Sequence, residues 1–329
     1  MIKRIIYVLS LSLAIAAGAA AHSDLPSAPL PRAAAPTLNP AFAERLSREQ
    51  RLQDLGWRLA RGNARFCADA QPAIGLQLLD TASFRSPAAI REALGLEHEF
   101  AVHTAAQDSP SARAGLTQLE PVTHINGFEL TSWIAEEPLN WERGEQAHKL
   151  LATILAKEGK VTIGRPSKPD LVITGEPVCT TRFELTGEDD VALADGLRVR
   201  FSASYPAFEY SDGEFAAVIA HELAHNVLGH RKWLDAHGRK QKHIRMTERE
   251  ADRLAPWLLA NAGFDPESAL RFMNRWGPEH GSGIFRKRTH EGWDERAEHI
   301  AAEIPLVRGA LHRDGHADWP THFRREIEP

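Results

Sequence analysis

Apolar positions recur every three or four residues in four parts of the chain, which is the spacing of amphipathic helices. From about residue 73 to residue 175 the texture changes to short apolar runs and turn residues, as in small strands around one helix. Residues 197–203 alternate apolar and polar side chains, the pattern of a half-buried strand. The pattern predicts a mainly helical α+β fold with a small sheet and a β-rich insert. The four predicted helices cover residues 41–66, 145–158, 246–263 and 291–305.

A further helix is predicted just before residue 221. Residues 215–220 are all apolar, and Ser211 followed three residues later by Glu214 is a capping box that begins a helix. A helix that is apolar on every side is buried in the protein. Polar residues at its end therefore need partners, because an unpaired buried charge is costly.

Those polar residues read His-Glu-Leu-Ala-His at positions 221–225. Positions i and i+4 share a helix face, so His221 and His225 can reach one ion. Two neutral imidazoles suit zinc, and Glu222 is placed to take a proton from a zinc-bound water. Since such a pentapeptide occurs by chance in roughly one chain in fifteen, the motif indicates a zinc-dependent peptidase only with a third ligand.

The helix predicted over 246–263 supplies that ligand. Glu248 and Asp252 are four residues apart and share a face, which favours Glu248 as the ligand and Asp252 as the residue that orients a zinc-bound imidazole. A solvated charged face is the alternative. That alternative suits Arg249 and Glu250 better than Asp252, which borders the apolar stripe.

With these residues in order, the chain resembles the gluzincin metallopeptidases of the CAAX prenyl endoprotease and Oma type, in their soluble periplasmic bacterial branch. The likeness rests on H-E-L-A-H at 221–225 and E-x-x-A-D at 248–252, and it covers roughly residues 186–310 and the helix near 41–66. It implies a zincin-type domain with one Zn²⁺ per chain. Alternation alone fits an edge strand or an ordinary interior strand over 197–203 equally well. The resemblance favours an edge strand on which substrate backbone pairs.

The same resemblance assigns roles to individual residues. It makes His221, His225 and Glu248 the zinc ligands and Glu222 the general base. His290 is a candidate transition-state or regulatory residue. Apart from the resemblance, Tyr205 is a second candidate for stabilising the oxyanion. His230 lies five residues past His225, off the ligand face, and is interpreted as a residue behind the ligands or on the surface.

A second resemblance lies in the β-rich part of the chain. Ser-Pro-Ser-Ala-Arg-Ala-Gly-Leu at 109–116 and Val-Thr-His-Ile-Asn-Gly at 122–127 resemble the core of bacterial PDZ domains. This implies an inserted PDZ-like domain over 73–176 that captures extended peptides by adding a strand to a sheet edge. A structural β insert that binds no peptide is the alternative.

The first 21 residues have the pattern of a secretory signal peptide. A basic pair at 3–4 precedes an apolar core over 5–15, and alanines at 19–21 form a cleavage site. An uncleaved anchor is the alternative, although the apolar core is short for a membrane span. We therefore expect a periplasmic protein with no stable membrane span after cleavage.

Net charge and cysteine content limit the classes of partner and compartment that the sequence predicts. The net charge of −5, with both signs mixed along the chain, gives no case for nucleic acid. The only two cysteines, Cys67 and Cys179, bracket the β-rich segment. Such a pair can form a disulfide in an oxidising compartment, and two buried free thiols are the alternative.

These features together predict a zinc endopeptidase of the cell envelope that cleaves misfolded or unassembled polypeptides, with a peptide ligand at the PDZ-like domain as a further partner. The alternative is a chaperone-like peptide-binding protein with little or no proteolytic activity. A structural zinc site is closed by four ligands and needs no base, so Glu222 favours the enzyme. The predicted organisation is a signal peptide (1–21), a Pro/Ala-rich linker (22–40), an N-terminal peptidase helix (41–72), the PDZ-like domain (73–176), the metallopeptidase domain (177–315) and a C-terminal tail (316–329).

Overall fold

The computed structural model describes residues 39–135, 138–187, 191–280 and 292–327, and it is a mixed α+β structure with small sheets. None of the helices in these ranges is both long and apolar enough to cross a bilayer. The predicted signal peptide, nearly all of the predicted linker, and His290 lie outside the described residues.

Ten helices lie in the described part of the chain. Those predicted from the apolar spacing are present, and α7 and α9 extend beyond the predicted ranges. The helices are α1 (Pro40–Gly62), α2 (Pro87–Leu94), α3 (Pro110–Arg113), α4 (Glu142–Glu158), α5 (Asp212–Val227), α6 (His230–His237), α7 (Gln241–Asn261), α8 (Glu267–His280), α9 (Trp293–Asp314) and α10 (Trp319–His322).

The described strands are short and form four small sheets. Their order is β1–β8, β2–β3, β5–β4–β6–β7 and β10–β11–β9. The strands are β1 (Gln71–Ala73), β2 (Leu76–Asp80), β3 (Phe100–Ala105), β4 (His124–Ile125), β5 (Phe128–Glu129), β6 (Lys160–Ile163), β7 (Leu171–Thr174), β8 (Glu176–Val178), β9 (Arg182–Thr186), β10 (Ala192–Ala194) and β11 (Arg198–Ser202).

The strand predicted over 197–203 is β11, and it is the central strand of its sheet. It pairs in parallel with β9 and antiparallel with β10. The expectation that it forms an edge was wrong. The edge beside the predicted site is β10, since Ala192 at its start lines the same cleft as His221.

Side chains from α1 and β2 cover the outer side of β9. Gln53 and Gln77 both donate to the carbonyl of Phe183, and the carboxylate of Glu49 accepts from the Leu185 N–H at 3.2 Å. These bonds replace the backbone partners that a fourth strand would supply. As a result Glu49 is 1% exposed, although it belongs to a helix with many exposed charges.

The larger hydrophobic core is built around α5. Phe215, Ile219 and Leu223 are fully buried, and the alanines between them let neighbouring elements approach closely. The helix packs against α1, α7 and α8 and against the β10–β11 pair. This arrangement explains the apolar run before residue 221, because α5 has protein on nearly every side.

A separate hydrophobic cluster fills the β-rich part of the chain. It joins α4 to β2, β3 and the four-stranded sheet, with Phe100, Ile125, Leu155 and Ile163 at its centre. The antiparallel pair β1–β8 lies where this segment leaves and re-enters the larger core. Close to that pair, Cys67 and Cys179 form a disulfide.

We expect loss of this disulfide to lower the free energy of unfolding by roughly 2–5 kcal/mol, because the bond closes a long loop in the unfolded chain. The two cysteines are 112 residues apart. The measurement is urea unfolding of a Cys67→Ser/Cys179→Ser double variant against the oxidised wild type. Adding a reductant should destabilise the wild type and leave the double variant unchanged.

We also expect Glu49 to make stability depend on pH. Burial raises the pKa of Glu49 to about 7 from its usual 4.5, against the lowering effects of the Leu185 N–H and Arg45. Between these values the unfolded chain ionises first, so stability falls as pH rises, by roughly 3 kcal/mol in total. Glu49→Gln should remove this fall.

The check is urea unfolding of wild type and Glu49→Gln at several pH values between about 4 and 8. As pH rises, the unfolding free energy of Glu49→Gln should increase relative to that of the wild type. Glu44→Gln, an exposed change on the same helix, should follow the wild type. Parallel curves for wild type and Glu49→Gln would contradict the assignment.

Candidate metal centre

Three helices bring the predicted site residues together. The capping box predicted for the start of α5 is present: the Glu214 N–H donates to Ser211 Oγ, and the Ser211 N–H donates to the Glu214 carboxylate. At its other end α5 presents His221, Glu222 and His225 toward α7 and α9. Because α5 and α7 pack closely over much of their length, the two histidines face the acidic face of α7.

The two histidines and Glu248 form a triangle of donor atoms. The two Nε2 atoms lie 3.2 Å apart. Glu248 places one oxygen 3.5 Å from His221 Nε2 and the other 3.6 Å from His225 Nε2. Ligand atoms of a tetrahedral zinc ion stand about 3.3 Å apart for bonds near 2.0–2.1 Å. Among the described residues these three make the one group of His, Cys, Asp and Glu that could hold a metal ion.

Asp252 and Arg296 lie behind His221. Asp252 Oδ1 is 2.9 Å from His221 Nδ1, and the carboxylate is 3% exposed. Arg296 of α9 binds it through two parallel contacts, Nε to Oδ2 at 2.6 Å and Nη2 to Oδ1 at 2.8 Å. This bidentate pair fixes the carboxylate and, through it, the orientation of the imidazole.

The carboxylates around His221 favour positive charge at the candidate metal site. Burial would raise the pKa of Asp252, but Arg296 and His221 together hold it at about 2. Burial likewise opposes protonation of His221, yet Asp252 and Glu248 raise its pKa to about 10. A position that stabilises an imidazolium so strongly also attracts a divalent cation.

His225 has the opposite character. Burial, with the nearby His230 and His221, lowers the pKa of His225 to about 3, although Glu248 acts against this shift. The ring is therefore neutral, which is the form that binds zinc.

A cleft of about 260 Å³ opens beside the donor atoms. Glu222 lines it and is 8% exposed. Tyr205 and Ala192 of β10 lie along the same cleft. A larger groove of about 1000 Å³ follows α1 but has none of the ligand residues in its walls. The apolar wall of the smaller cleft includes Val218, Phe272, Met273, Trp276 and Ile300.

Two residues lie behind the site, and the sequence interpretation missed one of them. Glu250, which the sequence placed on a solvated face, has no exposed surface, whereas His230, expected behind the ligands or on the surface, is 1% exposed. The available signal was the spacing of α7: Glu250 stands four and seven residues before Leu254 and Trp257, which are both in the core. That spacing places Glu250 on a buried face of the helix.

Comparisons of the chain with protein-family models, with curated proteins and with solved structures found no match. The interpretation of the site therefore rests on its own geometry and chemistry.

We expect the full-length protein to bind one zinc ion and to gain stability from it, by about 2.7 kcal/mol when free zinc is at a hundredfold excess over Kd. Glu248→Ala should lose most of this gain, since it removes one of three ligands. Zinc content after dialysis and the zinc-dependent shift in melting temperature are the measurements. Asp235→Ala, an exposed change on α6, is the control. Equal zinc content in Glu248→Ala and wild type would exclude Glu248 as a ligand.

Proposed function

We propose that the protein is a zinc-dependent endopeptidase of the zincin type that hydrolyses misfolded or unassembled polypeptides in the cell envelope. The single observation that carries the proposal is the donor triangle of His221, His225 and Glu248 beside Glu222 in an open cleft. Three protein ligands leave a fourth tetrahedral position for water, as a catalytic zinc site requires.

His221, His225 and Glu248 would hold the ion, and Asp252 with Arg296 would keep His221 in its ligating orientation. Bound zinc would lower the pKa of a coordinated water and polarise the scissile carbonyl. Glu222 takes the proton from the attacking water and passes it to the leaving amine. Tyr205, on the wall of the cleft, is a candidate donor to the developing oxyanion.

The substrate is proposed to bind as an extended strand along β10. That strand ends its sheet, with β11 on one side, and Ala192 lies in the cleft. An edge strand offers backbone N–H and C=O groups to any extended chain, so it accepts many sequences. Such recognition suits an enzyme that acts on unfolded segments.

A location outside the cytosol fits two features. The pattern of residues 1–21 is that of an export signal. The Cys67–Cys179 disulfide belongs to a kind of bond that persists in oxidising compartments such as the periplasm.

The alternative, a peptide-binding protein with little proteolysis, requires an open sheet edge in the PDZ-like segment. The side of β2 that faces α4 is not open, because His148 Nε2 accepts the Leu78 N–H at 3.2 Å. Trp57 and Phe183 of the larger core also border the small cavity between these elements. A peptide in the groove between β2 and α4 would have to displace these groups, which counts against this groove as a peptide site.

Glu222→Gln should reduce cleavage of fluorescently labelled casein by about 10²–10⁴-fold, because the amide cannot accept the proton of the attacking water. Zinc content should stay at the wild-type level, since Glu222 is not a ligand. Glu267→Gln, an exposed change on α8, should cleave normally. Unreduced cleavage by Glu222→Gln would overturn the mechanism, and a wild type that binds peptides but never cleaves them would favour the alternative.

A further inference from the structure

Two buried side chains stand in line behind the second histidine ligand. His225 points its Nε2 at the other donor atoms, and its Nδ1 lies 2.9 Å from Nδ1 of His230. The opposite nitrogen of His230, Nε2, lies 3.0 Å from Glu250 Oε2. The three residues form a continuous chain of contacts from the donor triangle into the protein.

The last residues of the described chain hold Glu250 in place. Its Oε1 accepts the N–H of Ile327 at 3.0 Å and also the N–H of Glu326, and its Oε2 accepts from Arg325 Nε at 2.9 Å. Three N–H donors of this segment therefore meet the fully buried carboxylate, which acts as a hydrogen-bond acceptor.

With both imidazoles neutral, the chain of contacts permits only one arrangement of protons. A carboxylate accepts hydrogen bonds, so His230 must carry its hydrogen on Nε2 and offer a lone pair at Nδ1. His225 must then carry its hydrogen on Nδ1, which leaves the lone pair of Nε2 directed at the donor triangle. The reverse tautomer of His230 would set two N–H groups against each other and a lone pair against a carboxylate.

We propose that His230 and Glu250 are positioning residues that fix the tautomer and orientation of His225 for zinc, and that the segment 325–327 is a working part of this support. The inference rests on the proposed zinc centre and adds to it. The first histidine has its own support in Asp252 and Arg296 of α9. Each imidazole ligand is therefore held by a separate carboxylate anchored on a different part of the chain.

The first test is zinc affinity of the full-length protein, measured by competition with a chromophoric chelator. Glu250→Gln should raise the Kd for Zn²⁺ about tenfold, and His230→Phe between about tenfold and a hundredfold, the range usual for residues behind metal ligands. Because Glu250 acts through His230, its substitution should add little to the loss in a His230→Phe background.

Glu303→Gln is the matched control. Glu303 is also buried and accepts from Arg253 Nε at 2.7 Å and Trp257 Nε1 at 2.9 Å, so its hydrogen bonds within the described residues go to side chains other than the three ligands. It should lose stability without losing zinc affinity. Wild-type affinity in folded Glu250→Gln and His230→Phe would overturn the inference and leave the proposed function intact, whereas a wild type without zinc binding would overturn both.

The second test needs no substitution and so does not depend on a variant folding. Ring ¹⁵N–¹H correlation spectra of histidine-labelled wild type report the tautomer of each imidazole. We expect His225 with its hydrogen on Nδ1 and His230 with its hydrogen on Nε2, in both the zinc-free and the zinc-loaded protein. A His230 ring with its hydrogen on Nδ1 would overturn the inference.

Discussion

The close packing of α5 on α7 is the constraint on which the rest of the site depends. The first helix is surrounded by protein, so its two histidines take their partners from the side chains packed around them, chiefly those of α7. Buried charges are tolerated when each has a geometrically good partner. Here the partners come in sequence, from Glu248 to His221, from His221 to Asp252, and from Asp252 to Arg296.

The same packing sets how the two faces of α7 differ. One face presents Glu248 and Asp252 to the cleft, and a neighbouring face buries Glu250 against His230 and the end of the chain. Acidic side chains on two sides of one helix would repel one another if they were left in water without counterparts. Each is instead matched to its own cation or donor set, so the helix tolerates three acids within five residues.

Much of the site could be predicted from the sequence because its residues come in pairs that are only four positions apart on one helix. The i, i+4 pairs at 221/225 and 248/252 share helix faces whatever the tertiary fold, and the capping box located the start of α5. Glu250 could not be placed by charge alone, since its burial depends on backbone N–H groups 76 and 77 residues further along the chain. The edge position of β10 was likewise hidden, because alternation is the same in interior and edge strands.

The β-rich segment begins and ends at the paired strands β1 and β8. Its first and last strands lie side by side, with Ala73 opposite Glu176, and the disulfide next to them holds two α-carbons only 5.4 Å apart. Because the two ends of this segment are adjacent, it can be gained, exchanged or shortened during evolution. A short link between β1 and β8 is then enough to reconnect the rest of the chain. The larger core would keep its framework through such a change, so chains with the same core could carry quite different modules at this point.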